Sequence, residues 1–158
     1  MSNPFWDNIF RRGDSELQII TRLWQQTPLF KDIPARHIEH LCTSMHPRRF
    51  KADEIIFNLG DQGAGAILVL EGTVKIMTND NELARFESGD FFGEIALATT
   101  ERRAADALAV SDCHLVYFLK QDLEEWIEQE PRLGSRFLLN LSAVLGHRLF
   151  EINANHGG

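Results

Sequence analysis

The sequence lacks the short motifs that identify the common enzyme classes. It contains no G-x-S-x-G turn, no phosphate-binding P-loop, no C-x-x-C pair and no H-E-x-x-H helix. His37 and His40 stand at helical spacing, but the H-x-H strand pattern of metal-binding barrels is absent. We therefore predict that the protein is not an enzyme, that it holds no metal, and that it requires no cofactor.

Cysteines and long apolar stretches are also scarce. The two cysteines, Cys42 and Cys113, belong to no pairing motif, which favours reduced thiols and a cytoplasmic location. No N-terminal signal peptide is recognisable. The longest apolar-rich stretch, residues 137–150, is interrupted by polar side chains such as Asn140 and Arg148. We expect no membrane-spanning segment.

Positive charge is in short supply. Sixteen Lys and Arg residues face 23 Asp and Glu residues, which gives a formal net charge of −7. That balance disfavours general binding to nucleic acids or to anionic membranes, because both need clustered Lys and Arg. At 158 residues and 44% apolar content, the chain is long enough for one domain with a buried core. An anionic ligand would have to be held by a few local groups.

One stretch, residues 88–109, contains such groups. Gly93 opens a short turn, and the unpaired backbone N–H groups of such a turn suit an anion. Arg103 adds a planar and permanently charged fork that matches phosphate oxygens. The carboxylate of Glu94 suits a different partner, a hydroxyl group such as those of a ribose.

This stretch resembles the phosphate-binding cassette of cyclic-nucleotide-binding domains, the family found in catabolite activator proteins, kinase regulatory subunits and cyclic-nucleotide-gated channels. The family pattern is Phe-Gly-Glu, an apolar-Ala-apolar triplet, a variable run, and then Arg followed by small residues. It is present here as Phe92-Gly93-Glu94, Ile95-Ala96-Leu97 and Arg103-Ala104-Ala105. A second match lies upstream of the cassette and consists of Gly60-Asp61, Gly63, Gly72 and Val74.

The resemblance implies a mainly β fold, a jelly-roll-like antiparallel β-barrel (a double-stranded β-helix) of eight strands, with helices before and after it. Short β-like segments separated by turn residues favour the same architecture, and Glu71-Gly72 is predicted to close a two-residue hairpin. We expect an N-terminal arm and helices in residues 1–46, the barrel in 47–119, and a C-terminal hinge with lid or dimer helices in 120–158. The three parts would form one structural unit.

Helical periodicity marks both ends of the chain. Apolar residues at three- and four-residue steps predict helices over residues 14–26 and 35–45 before the strands. The same pattern predicts helices over residues 121–128 and 133–153 after the strands, with Pro131 interrupting between them.

Strand alternation distinguishes Arg103 from its neighbour Arg102. A strand is predicted over residues 103–110, which places Arg103 and Ala105 on one face and Asp106 on the other. The small side chains on the Arg103 face would leave room for a ligand inside the barrel. Arg102 is expected to be solvated.

The resemblance also implies roles in ligand binding. A cyclic phosphate would sit on the N–H groups of the Gly93 turn and on Arg103, and Glu94 would accept a hydrogen bond from the ribose 2′-hydroxyl. The predicted ligand-binding residues are Phe92, Gly93, Glu94, Ile95, Ala96, Arg103, Ala104 and Ala105.

The base of the nucleotide is read less directly. The last helix would close over it, and Phe137, Asn140 and Leu141 on that helix are the candidate contacts. Ala104 lacks the hydroxyl that in relatives often favours cyclic GMP. The ligand is therefore predicted to be cyclic AMP in preference to cyclic GMP.

Two functions stay open at this point. One is a regulatory domain that couples nucleotide binding to movement of its C-terminal helices. The other is a ligand-free barrel that acts as a protein-interaction or dimerisation module, which an aromatic arm at Phe5-Trp6 and an apolar seam in the last helix support. No helix-turn-helix follows the last helix, so we expect no direct DNA binding; the downstream partner is unknown. The seam of a possible homodimer consists of Leu138, Leu141, Leu145, Leu149 and Ile152.

Overall fold

The computed structural model describes residues 15–156, and the predicted arm at Phe5-Trp6 lies outside them. Two short helices, α1 (Glu16–Gln25) and α2 (Ala35–Cys42), precede the strands, with a 3₁₀ turn at Pro28–Phe30 between them. Two helices, α3 (Lys120–Gln129) and α4 (Pro131–His156), follow the strands. The strands are β1 (His46–Phe50), β2 (Ile55–Phe57), β3 (Gly65–Glu71), β4 (Val74–Thr78), β5 (Asn81–Phe86), β6 (Phe91–Phe92), β7 (Asp106–Ala109) and β8 (Cys113–Leu119).

The eight strands form two antiparallel four-stranded sheets. The first sheet has the order β1-β8-β3-β6 and the second has the order β2-β7-β4-β5. This order, in which the chain alternates between two facing sheets, gives the jelly-roll-like architecture that was predicted. The sheets pack against each other without being hydrogen-bonded into a closed barrel.

Strand β3 lies at the centre of the molecule because both of its faces are covered. Ile67 and Val69 point into the space between the two sheets, where they pack with apolar residues of the second sheet. Ala66, Leu68 and Leu70 point the opposite way, toward the helices. A strand buried on both sides needs apolar residues at every position, which explains the unbroken apolar run in the sequence.

The helices cover the outer face of the first sheet through an aromatic cluster centred on Trp24. The Trp24 ring is completely buried and lies 5.4 Å from Phe30, 6.0 Å from Phe118 and 6.1 Å from Phe91, measured between ring centroids. Its indole N–H donates to the Met45 sulfur at 3.0 Å. α1, the 3₁₀ turn and the first sheet are therefore held together by one residue of α1.

The predicted hairpin at Glu71-Gly72 is wrong. β3 pairs with β8 and β6, whereas β4 pairs with β5 and β7, so the connection after β3 carries the chain from one sheet to the other. Gly72 has φ +96°, and a Cβ there would lie 2.4 Å from the Asp112 carbonyl oxygen. The glycine marks a tight crossing beside the β7–β8 turn, which local sequence cannot distinguish from a hairpin.

The predicted interruption between the C-terminal helices is present, because α3 ends at Gln129, Glu130 lies outside both helices, and Pro131 begins α4. Helix α4 starts at Pro131, two residues before the predicted start. Proline suits the first helical position because its missing N–H would have no partner there and its φ is already helical. Within residues 15–156, no helix is long and apolar enough to span a bilayer.

Helix α4 carries apolar residues on two sides, which divides the predicted seam. Leu141 is 2% exposed and packs in the core, so it is not available to a second chain. Leu138, Leu149 and Ile152 are 40%, 60% and 55% exposed. The seam as predicted is therefore wrong at Leu141, because the first half of the helix uses that side to cover its own domain.

Replacing Trp24 with alanine should test the aromatic cluster. We expect Trp24→Ala to lower the free energy of unfolding by about 3–5 kcal/mol, since it empties a fully buried site. Urea titration followed by circular dichroism would measure the loss. Leu83→Ala is the control, because Leu83 is 61% exposed and its replacement should change stability by less than about 0.5 kcal/mol.

Candidate ligand-binding site

The cassette folds as a short strand followed by a single 3₁₀ turn. Strand β6 ends at Phe92, Gly93 adopts a left-handed conformation with φ +71°, and the turn spans Glu94–Leu97. A Cβ on Gly93 would lie 2.5 Å from Nη1 of Arg103. Glycine is needed here both for the positive φ and for the close approach of the guanidinium.

Arg103 reaches this turn from a loop and not from a strand. Strand β7 begins only at Asp106, so the predicted strand starts three residues too early. The Arg103 backbone is held instead by the upstream glycine turn, because its N–H donates to the Asp61 carbonyl and its own carbonyl accepts from the Gly60 N–H, both at 2.8 Å. The second motif found in the sequence thus fixes the position of Arg103.

The guanidinium of Arg103 is partly buried and well oriented. It donates to the carbonyl of Gly93 at 3.3 Å and to the carbonyl of Gly65 at 3.0 Å. Its central carbon lies 4.4 Å from the centroid of the Phe57 ring. Burial lowers the pKa of Arg103, while Tyr117 and nearby carboxylates raise it, and an arginine remains charged at neutral pH. Five N–H donors serve two carbonyls, so donors remain for an anion.

A cavity of about 410 Å³ lies beside Arg103, between the cassette and the second sheet. That volume is in the range of small-molecule sites. Its lining includes seven of the eight predicted ligand-binding residues: Phe92, Gly93, Ile95, Ala96, Arg103, Ala104 and Ala105. The second sheet adds an apolar wall of Phe57, Ile76, Ala84 and Phe86, and α4 adds Arg148.

The predicted alternation after Arg103 is correct in orientation. Ala105 is buried, and Asp106 points away from the cavity, where its carboxylate accepts from the Leu59 N–H at 2.7 Å. Arg102 is exposed and donates to the Gly60 carbonyl at 3.0 Å. No acidic side chain from β7 therefore faces Arg103.

Glu94 is the predicted site residue that does not line the cavity. It is 3% exposed, and its Oε1 lies 2.6 Å from Nη1 of Arg148. Its Oε2 is buried without a hydrogen-bond partner. Arg148 also lies over Phe91, 5.2 Å from the ring centroid, and donates to the Phe91 carbonyl at 3.4 Å. In this conformation a helix residue covers the carboxylate that was predicted to hold the ribose.

The residues predicted to contact the base lie elsewhere. Phe137 and Leu141 are in the helical core, and the Asn140 amide donates to the carbonyls of Leu29 and Lys31 at 2.9 Å. The residue of α4 that reaches the cavity, Arg148, was missed.

A signal for Arg148 was present in the sequence. It follows Phe137, Leu141 and Val144 at helical spacing, so it continues the face that packs on the domain. A charged residue at the end of an apolar face points to a polar partner, and that partner is Glu94.

The family profile described as the cyclic nucleotide-binding domain matches residues 47–130 of this chain, which is more than half of it. The chain belongs to the cyclic nucleotide-binding domain family. This confirms the resemblance that the cassette and the glycine turn indicated.

Several known proteins are similar to the chain over most of its length. It is 28% identical over 130 residues to the cyclic AMP receptor protein of Thermus thermophilus, covering 79% of this chain and 58% of that protein. A putative potassium channel protein of Rhodopseudomonas palustris is 27% identical over 139 residues, covering 86% of this chain and 33% of the channel protein. The crystal structure of the Thermus thermophilus catabolite activator protein superposes with a TM-score of 0.73 at 29% identity, covering 83% of this chain and 62% of that one.

The buried environment of Glu94 shifts the pKa of its carboxyl group. Burial raises the pKa of Glu94 above its ordinary value of 4.5, and the charges of Arg148 and Arg103 only partly offset that effect. The folded state therefore binds a proton at Glu94 more readily than the unfolded chain. The stability that this group contributes is fully present below pH 4.5 and is lost as the pH rises through the raised pKa.

Glu94→Gln should remove this pH dependence. We expect the free energy of unfolding of the parent, relative to that of Glu94→Gln, to fall as the pH rises from 4.5 toward neutrality. Urea titrations at half-unit pH steps would measure both proteins. Glu101→Gln, which removes an exposed carboxylate of the same cassette, corrects for the loss of one negative charge. A relative rise with pH would mean that the ion pair outweighs burial.

Proposed function

We propose that this cyclic nucleotide-binding domain is a regulatory sensor that binds cyclic AMP in preference to cyclic GMP. The observation that carries the proposal is the Arg103 guanidinium, which lines a cavity of about 410 Å³ directly beside the left-handed turn at Gly93. The cation and the turn together suit a cyclic phosphate. The role is regulatory and not catalytic, since the site combines anion binding with a contact to the last helix.

The phosphate would bind between Arg103 and the turn that Gly93 opens. Arg103 is preoriented by its bonds to the carbonyls of Gly93 and Gly65, so little side-chain freedom is lost when an anion arrives. Its charge acts in a partly buried place, where water weakens it less than at the surface. These local groups let an acidic chain hold an anion.

The apolar wall of the cavity suits the remainder of the nucleotide. Phe86 and Phe92 stack at 5.1 Å between ring centroids, and the Phe57 ring lies 6.2 Å from that of Phe92. Ala104 carries no hydroxyl to favour cyclic GMP, and the similar Thermus thermophilus protein is named for cyclic AMP. Both support the choice of cyclic AMP.

The last helix is the element through which binding would be reported. Leu97, the last residue of the cassette turn, is 3% exposed and packs in the same cluster as Phe137 and Leu141 of α4. Movement of the turn would therefore press on the helix. A ligand can shift α4 only by as much as it prefers one helix position over the other.

A movement of the last helix would act on a partner outside this domain. The chain spans about one third of the potassium channel protein and 58% of the cyclic AMP receptor protein that it resembles. We propose that the domain itself contacts neither DNA nor a membrane and acts in the cytoplasm, passing its signal to a protein partner.

Arg103→Ala tests the phosphate site. We expect cyclic AMP affinity to fall about 10- to 100-fold or more, because charge-assisted hydrogen bonds of about 1.5–3 kcal/mol each are lost. Isothermal titration calorimetry with cyclic AMP and cyclic GMP would measure parent and variant. Arg132→Ala is the control, since it removes an exposed arginine that does not line the cavity. Equal affinities of the parent and Arg103→Ala would contradict the assignment.

An exposed apolar face on α4 favours a second function for the same fold. Leu149 is 60% exposed, and Leu138 and Ile152, which are 40% and 55% exposed, lie on the same side of the helix. A helix with apolar residues on two sides is typically covered on both. The alternative proposal is a ligand-free domain that forms a homodimer through this face, with Leu145 contributing at its edge.

Light scattering tests the homodimer. We expect a dimer for the parent and a monomer for Leu149→Glu, because charges in an apolar interface lose their hydration without gaining a partner. Ala154→Glu, which adds the same charge at an exposed position on the opposite side of the helix, should leave the dimer intact. A dimer that binds neither nucleotide would favour the interaction module, and a monomeric parent would exclude the homodimer.

A further inference from the structure

We propose that Arg148 competes with the nucleotide ribose for Glu94, and that nucleotide binding must draw Arg148 off this carboxylate. The inference rests on the proposed function and names the residue that opposes binding at the same site. It also identifies the contact by which the ligand would act on the last helix.

The Glu94 carboxylate is not accessible from the cavity. Glu94 is 3% exposed and is absent from the lining of the cavity, whereas Arg148 lines it and lies 2.6 Å from Glu94 Oε1. A ribose in the cavity therefore meets the guanidinium before it can meet the carboxylate. Because the whole Glu94 side chain is buried, Oε2 included, we expect a ligand hydroxyl to reach it only after Arg148 has moved.

The hydrogen-bonding capacity of the Glu94 carboxylate is not fully used. Oε2 of Glu94 is buried without a hydrogen-bond partner, so the carboxylate is only half satisfied by Arg148. A buried acceptor left in this state carries a free-energy cost. A hydroxyl donor that reached Glu94 would relieve it and offset part of the loss of the ion pair.

A neighbouring cavity offers Arg148 a second position. Its guanidinium also lines a neighbouring cavity of about 520 Å³, between α4 and the 3₁₀ turn at Pro28–Phe30. Arg148 is 38% exposed, so it can turn away without becoming an unpaired buried charge. The side chain is thus free to leave, while Glu94 is fixed in the cassette turn.

The contacts of Arg148 also have a consequence for α4. Arg148 is bonded to the Phe91 carbonyl and stacks on the Phe91 ring in addition to its pair with Glu94. These contacts hold the end of the helix to the cassette. Beyond Arg148 the helix continues to His156 with exposed side chains at Leu149 and Ile152, so its last turns depend on this attachment.

Removal of the competitor should strengthen binding of the ribonucleotide. We expect Arg148→Ala to lower the dissociation constant for cyclic AMP by about tenfold, the equivalent of one charge-assisted hydrogen bond. The affinity for 2′-deoxy cyclic AMP should not change, because a ligand without the 2′-hydroxyl has no donor at that position for the Glu94 carboxylate. Calorimetry with both ligands would give the ratio of affinities.

Two further variants separate competition from a general effect. Arg132→Ala removes an exposed arginine from the same helix far from the cavity and should leave both affinities unchanged. Arg148→Lys keeps a cation that can reach Glu94 and should behave more like the parent than Arg148→Ala does. Circular dichroism would establish that each variant is folded.

Hydrogen exchange provides a readout that does not depend on affinity. In the free protein, amides of residues 145–156 should exchange faster in Arg148→Ala than in Arg132→Ala, because the helix end has lost its attachment. Cyclic AMP should speed exchange of the same amides in the parent and have little further effect in Arg148→Ala.

The outcomes distinguish this inference from the proposed function. If the parent binds cyclic AMP and Arg148→Ala binds it equally or more weakly, competition is wrong and the sensor function stands. If only Arg148→Ala binds, the competitor dominates and the inference is supported. If neither binds cyclic AMP or cyclic GMP at millimolar concentration, both the proposed function and the competition are overturned.

Discussion

The guanidinium of Arg103 is the group on which the site depends. It joins the cassette at Gly93 to the start of β3 at Gly65, and its backbone pairs with the glycine turn at Gly60. Three segments that are distant in sequence therefore meet at one side chain. In a chain with a net charge of −7, such a fixed cation is what makes an anion site physically reasonable.

A second cation, Arg148, lines the same cavity and pairs with Glu94. Arg103 donates to two backbone carbonyls, which do not ionise, whereas Arg148 pairs with the buried carboxylate of Glu94 and donates to the Phe91 carbonyl. We therefore expect the contacts of Arg103 to persist when a ligand binds and the ion pair of Arg148 to be exchangeable. The two arginines line the same cavity but belong to separate parts of the chain, one to the cassette and one to the last helix.

The double-sided character of α4 follows from the same geometry. Its first half covers the first sheet through Phe137, Leu141 and Val144, and this packing leaves the opposite face apolar and uncovered. Beyond Arg148, residues 149–155 of the helix are exposed. Under the proposed sensor function, a movement of the cassette would reach a helix whose outer end carries exposed apolar side chains.

The sequence alone determined the fold class and the family. These rest on local signals: the turn that only glycine at position 93 permits, the two motifs that surround it, and the periodicity of the helices. The orientation of Arg103 depends instead on its backbone bonds to the turn at Gly60 and Asp61. The start of α4 at Pro131 was misjudged because proline is tolerated at a first helical position as well as at a break. Tertiary structure alone decided that Gly72 crosses between sheets, that Leu141 faces inward, and that Arg148 covers Glu94. The reason is physical: a pattern in the chain shows which side of a helix or strand is apolar, but only packing determines which distant group that side meets.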